Sequence, residues 1–312
     1  MTARLKSMRT RNQVLLAAVL FIGVIVALGA AFGSKGMNSE YQPQNEFRLD
    51  PWVKLKLGPI DMSINKAVLY LFLATLATVA TMTYVARRMA QRPNRVQTAV
   101  EAIYGLMRDN IAGPNNIDRK LAAKWFPFIA ALFLFIWFSN LLGYVPLPTN
   151  SEETFNVFGA HIPSFAIYAA TANISVTLML TLLVWFSYHV EGIRAKGVIG
   201  YLKSFLPAGL EHVPAKLILI PGIFAIEVIS QFVRIISLSV RLFANILAGH
   251  LLILFMGGGL VILLGLAALG ALTLPIAVVF FIFEVVLIAT LQAFIFATLT
   301  AIYLGGAVGE AH

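Results

Sequence analysis

The chain has 312 residues, of which 59% are hydrophobic and 12% charged, with a formal net charge of +9 and a mean hydropathy of +0.85. A soluble domain carries about 25% charged residues, so this composition excludes an ordinary soluble fold and points to a membrane protein. The chain has no cysteine, which excludes disulfides, thiol catalysis and Cys-ligated metals.

The apolar residues come in runs near the ~20 residues that a spanning helix needs, and they predict an all-α polytopic membrane fold with about six membrane-embedded helical regions. The first, 13–33, reads as an N-terminal transmembrane helix or a signal segment within residues 1–34. Its apolar stretch from Val14 to Phe32 exceeds the usual signal core of about 7–15 residues, which favours a retained helix. Residues 35–63, polar and containing Gln42, Pro43 and Gln44, form an extracytoplasmic loop. Residues 64–312 then read as a single membrane domain. Its spans are expected near 64–86, 125–146, 165–188, 217–256 and 260–304, the last two as a long tilted helical hairpin. Gly257, Gly258 and Gly259 mark a turn between those two, and Pro275 is placed to kink or interrupt the last one. Between the second and third spans, Val96, Val100, Ile103, Tyr104, Met107 and Ile111 recur at helical spacing in a stretch too polar to span. Residues 96–112 are therefore expected to lie on the membrane surface as an interfacial helix, or else as a short soluble helix packed on a partner.

Basic residues orient the spans. Sixteen Lys and Arg fall before 13–33, in 87–124 and in 194–216, against five in 35–66, with Arg234 and Arg241 left at membrane depth. The richer side is cytoplasmic, so both termini face the cytoplasm if the first span is retained. Positive charge flanking apolar runs is a topology signal here, and no nucleic-acid partner is expected.

The fifth region carries Glu227, Ser230, Arg234, Ser237, Arg241 and Asn245. At about 100° per residue, all six lie within about 40° of the Arg241 azimuth. A charge at membrane depth costs at least ~2.5–3.5 kcal/mol. Ser and Asn alone would fit a polar seam joining helices, but Glu227 and two arginines would be costly glue. A Glu227–Arg234 pair is possible and leaves Arg241 without a partner in this segment. A guanidinium stays charged, so Arg241 needs a carboxylate from elsewhere, in this chain or on a moving neighbour.

The last region adds Glu284 and Gln292. His250, nine residues past Arg241, lies about 180° from the stripe on a straight helix. It is placed to face the returning helix and meet Glu284, either as a pair that passes protons or as a structural pair.

The stretch Ser237-Leu-Ser-Val-Arg-Leu-Phe-Ala-Asn-Ile-Leu-Ala-Gly-His250 closely resembles the signature of the a subunit of rotary F-type ATP synthases. Leu291-Gln-Ala-Phe-Ile-Phe-Ala-Thr-Leu-Thr300, Asn140-Leu-Leu-Gly-Tyr-Val-Pro146 and Asn173-Ile-Ser-Val-Thr-Leu178 are similar to other parts of that family, and the resemblance spans about 55–304. It implies a proton-conducting stator subunit beside a ring of c subunits, with two half-channels separated by the essential arginine, which Arg241 matches. Glu227, Ser230 and Ser237 match the cytoplasmic half-channel; Asn245, His250 and Gln292 match the extracytoplasmic one, with Arg234 and Asn173 as supporting residues. The implied partners are the c ring, b-type peripheral stalk subunits, the remaining synthase subunits, the lipid bilayer and protons, in a bacterial plasma membrane. No cofactor or metal is implied. Two departures stand out. Glu284 lies eight residues before Gln292 where seven is the family spacing, a difference of about 100° that a local bulge would remove. Gly143 stands where some members carry Asp.

The other classes are weaker. A self-contained secondary transporter or channel would carry internal repeats, and the sequence has none. An intramembrane metalloprotease would need HExxH, and a nucleotide enzyme would need GxxxxGK[ST]; neither occurs. The chain is therefore expected to have no active site of its own.

Overall fold

A backbone crossing a bilayer must satisfy its N–H and C=O groups internally, so apolar runs of this length become helices. The computed structural model describes residues 47–58, 60–88, 119–149, 154–157, 160–163, 165–206, 216–259 and 267–309, with Arg95, Gln97, Thr98, Glu101 and Gly105. The expected first span, 13–33, lies outside the described residues, as does most of the expected interfacial helix. Of the latter, Gln97 and Glu101 are helical, and Gln97 Nε2 donates to Glu101 Oε1 at 2.6 Å.

Six helices are described: α1 (Lys66–Arg87), α2 (Arg119–Leu142), α3 (Ile174–Lys203), α4 (Lys216–Leu254), α5 (Ala267–Phe283) and α6 (Ala289–Val308). A π-helical turn, Phe255–Gly259, extends α4, and a second, Glu284–Ile288, joins α5 to α6. The protein is thus a helical, multi-pass membrane chain. Among the described residues, five helical stretches are long and apolar enough to span: 66–87, 124–142, 174–203, 219–257 and 273–308.

Three of the expected boundaries move. The third span begins at Ile174 rather than 165, because Asn173 caps it, its side chain accepting from Ser175 N at 2.8 Å. It continues to Lys203 through Gly197, whose φ of 71° bends the helix where a residue with a Cβ would be strained. The glycines at 257–259 continue a helix as a π turn and do not form the expected reversal; the connection at 260–266 lies outside the described residues. Helix runs through Pro275, and the interruption comes nine residues later, at the second π turn. Loops also form short antiparallel pairs that the sequence reading left out: β1 (Lys56–Leu57) with β2 (Ile60–Asp61), β3 (Leu147–Pro148) with β6 (Phe165–Ala166), and β4 (Thr154–Val157) with β5 (Ala160–Pro163). At two to four residues each, they are too short for a readable alternation.

The described residues fall into two compact units. The larger holds residues 47–248 and 284–309. In it α6 packs most extensively against α2 and α3, and α2 against α1. Ala289, Ala293, Ala297 and Ala301 recur every fourth residue on α6 and are almost wholly buried. Small residues at that spacing let helix backbones approach closely where lipid supplies no hydrophobic drive. Ile136, Val184, Leu242, Ile246 and Phe296 join the same core. The smaller unit holds the described residues of 249–283: the end of α4, its π turn and α5, the last two packed on each other.

Candidate functional site

Helix α4 packs by one stripe. Gln231, Leu238, Leu242 and Ile246 are buried, at 5% exposure or less. Relative to Leu242 they cluster within about 40°, whereas the polar stripe centres about 90° to one side. The six polar residues therefore occupy the flank of the helix. Glu227, Ser230 and Arg234 are half-buried, while Ser237, Arg241 and Asn245 are exposed. Helical geometry alone produces this layout, since the apolar stripe must face the bundle and the polar stripe is out of phase with it.

At the 216-end of this flank, Arg234 Nη2 lies 3.6 Å from Glu227 Oε1, so the i, i+7 pair is made. Gln231 Nε2 also donates to Glu227 Oε1, at 2.8 Å, and Tyr188 of α3 donates through its hydroxyl to Gln231 Oε1 at 2.7 Å. The Arg234 guanidinium sits 5.1 Å over the Tyr303 ring of α6, a cation–π contact that helps hold a cation in apolar surroundings. Arg241 differs. The side-chain ion pairs among the described residues are Arg48–Asp50, Lys124–Glu191 and Glu227–Arg234, and none includes it. Among the described residues, one of the two membrane-depth arginines is thus ion-paired and the other is exposed without such a pair.

A second polar group forms around the Glu284 turn. A π turn takes in one extra residue, so the eight positions from Glu284 to Gln292 close the angle that seven would close in an α-helix. The two then lie within about 20° of one another. Both are buried, at 8% and 5% exposure. The expected bulge is therefore present, and it removes the 100° discrepancy of the sequence spacing. Tyr144, at 4% exposure, donates to Glu284 Oε2 at 2.9 Å. Tyr144 lies past the end of α2. Burial, with the Glu284 charge and hydrogen bond beside it, raises its phenol above the usual range, so it stays a donor. Asn140 Nδ2 donates to the Ala289 carbonyl at 3.2 Å, at the seam where the π turn ends. Thr171 in turn donates to Asn140 Oδ1 at 2.7 Å. This chain of side chains fastens α2 to the turn that aims Glu284.

Gly143 is set by close approach. A Cβ built there would lie 2.4 Å from Ala169 Cβ and 2.8 Å from Ala169 Cα. An Asp has no room at this position, and the neighbouring Tyr144 carries the polar group instead. Gly143→Ala is expected to cost about 1–3 kcal/mol through overpacking, read as a lower melting temperature of the detergent-purified protein; an unchanged melting temperature would refute the close approach.

His250 belongs to the smaller unit and is buried. Asn173 acts as the cap of α3. Sequence reasoning missed Tyr144, Tyr188, Gln231 and Tyr303. Gln231 had a signal, four residues after Glu227 and so one helical turn away. The three tyrosines come from other elements, Tyr188 from α3, Tyr303 from α6 and Tyr144 from the turn after α2, and no spacing along the chain reports them.

The family model described as "ATP synthase A chain" matches residues 68–305. Among curated proteins the chain is similar to "ATP synthase subunit a" of Rubrobacter xylanophilus, 36% identical over 266 residues, covering 84% of this chain and 92% of that one. It is also similar to "ATP synthase subunit a" of Hyphomonas neptunium, 33% identical, covering 86% of this chain and 97% of that one. The protein of the same name in Pelagibacter ubique is 34% identical, with coverages of 86% and 98%.

Proposed function

Because this chain belongs to the ATP synthase A chain family, we propose that it is the proton-translocating stator subunit of the membrane sector of an F-type ATP synthase. It stands beside the c ring, is held by b-type stalk subunits, and leaves phosphate chemistry to the soluble subunits. The observation that carries this reading is the exposed Arg241 on the flank of a spanning helix, with no carboxylate ion-paired to it among the described residues. A permanent cation at that depth needs an anion, and a ring carboxylate moving past supplies one. Protons pass between each aqueous phase and the ring through two offset half-channels. Glu227, Ser230 and Ser237, supported by Arg234, form the cytoplasmic one. Asn245, Glu284 and Gln292 form the extracytoplasmic one. Arg241 separates them, attracting the deprotonated ring acid and repelling a proton that would cross directly. The membrane is the bacterial plasma membrane, with both termini cytoplasmic where the first span is retained.

Energetically, one charge crossing 100 mV contributes ~2.3 kcal/mol, so several protons must pass for each ATP made. Purification in mild detergent tests the assignment: the chain is expected to copurify with a c ring and soluble ATPase subunits. Isolation as a free-standing protein would support a self-contained transporter instead. A second test concerns Glu227. Glu227→Gln is expected to slow ATP-driven pumping in inverted vesicles several-fold, less severely than loss of Arg241, because serines and water can partly substitute. Wild-type flux at every pH would remove Glu227 from the pathway.

A further inference from the structure

We infer that Tyr188 and Gln231 act as a positioning relay for Glu227, turning with its protonation state so that the carboxyl group keeps one orientation in the proton pathway. The inference rests on the cytoplasmic half-channel reading and adds to it two residues with no assigned role.

The argument starts from the hydrogen bonds available to each group. An ionised carboxylate only accepts, an amide offers a donor end and an acceptor end, and a phenol does either. Glu227 Oε1 accepts from Gln231 Nε2, which leaves Gln231 Oε1 to accept from the Tyr188 hydroxyl. Every link in this order needs Glu227 Oε1 to be an acceptor, as both oxygens of an ionised carboxylate are, and Arg234 Nη2 lies 3.6 Å from the same oxygen. A proton taken on Oε1 turns that atom into a donor. The amide then meets it with oxygen and turns its N–H toward Tyr188, whose oxygen can accept. Tyr188 is the partner that completes both orders. Because Tyr188 and Gln231 are 2% and 5% exposed, an amide end without a partner there would carry the desolvation cost of an unmade hydrogen bond.

The surroundings make the relay local. The titratable groups facing it are Arg234 on α4, His189 and Tyr201 beside Tyr188 on α3, and Tyr303 on α6. His189 Nδ1 is 2.8 Å from the Trp185 carbonyl oxygen, so that ring nitrogen is already engaged along its own helix. His189, Tyr201 and Gln231 border a cavity of about 270 Å³ whose walls are almost wholly apolar, a poor route for water to reach the amide from that side. Tyr188 therefore supplies what water would otherwise provide.

The test uses the assembled synthase in inverted vesicles, with flux expressed per assembled complex. Tyr188→Phe keeps the ring and its packing and removes only the hydroxyl. It is expected to cut ATP-driven pumping by up to about tenfold, the range of one net hydrogen bond, and to displace the flux–pH curve by up to about one unit. Gln231→Leu should slow flux at least as much, and adding Tyr188→Phe to it should change nothing further, because Tyr188 acts through the amide. A Tyr188→Phe curve that keeps its position on the pH axis, scaled down or not, would overturn the relay, as would a fully additive double variant. Wild-type flux in Glu227→Gln at every pH would instead overturn the half-channel reading beneath it.

Discussion

Replacing Arg241 by alanine is expected to reduce ATP-driven proton pumping to background while the complex still assembles. Arg241 is exposed on the flank of α4 and pairs with no acid among the described residues, so its removal deletes no ion pair among them and opens no cavity in the core they form. On the proposed reading, what is lost is the counter-charge for the ring carboxylate. An anion facing hydrocarbon without it meets at least ~2.5–3.5 kcal/mol. At about 1.4 kcal/mol per factor of ten, that slows each passage by about 100-fold. Arg241→Lys keeps a charge but not the planar fork, and an intermediate loss is expected. Fluorescence quenching in inverted vesicles, with complex content measured by immunoblot, checks both parts. Pumping at the wild-type rate in Arg241→Ala would end the stator assignment.

Glu284 carries the second large effect, and two variants separate its roles. Glu284→Gln keeps an oxygen that accepts from Tyr144, so the buried hydrogen bond survives and stability should change by less than about 1 kcal/mol. The titratable group is gone, and flux is expected to fall by about 100-fold, the scale of a lost proton-transfer group. Glu284→Leu in addition leaves the Tyr144 hydroxyl buried without that acceptor, which should cost about 1–3 kcal/mol of stability. A Glu284→Gln complex that pumps normally would make the Tyr144–Glu284 pair structural and remove Glu284 from the extracytoplasmic half-channel.

Much of this architecture was legible before any coordinates. The polar stripe on α4 follows from one number, the helical repeat, because all six residues sit on one continuous helix. The Glu284 problem was legible as a problem: eight residues where seven would align could be recognised as a misfit, but the remedy lay in backbone hydrogen bonding. The π turn at 284–288 is anchored where Asn140 reaches the Ala289 carbonyl across from α2. No local propensity in Glu-Val-Val-Leu-Ile announces it.

The covalent chain by itself determined that the protein lives in a bilayer, how many apolar runs it has, which side is basic and which azimuth of α4 is polar. Composition and short-range periodicity suffice for those, since lipid leaves the backbone little choice but helix. Tertiary structure alone decided which arginine is neutralised and which is left outward, and that the buried acid after α5 would take its hydrogen bond from a tyrosine 140 residues away. It also decided that position 143 would be too crowded for any side chain. Those outcomes depend on distances between helices far apart along the chain, and no spacing within one helix encodes such a distance.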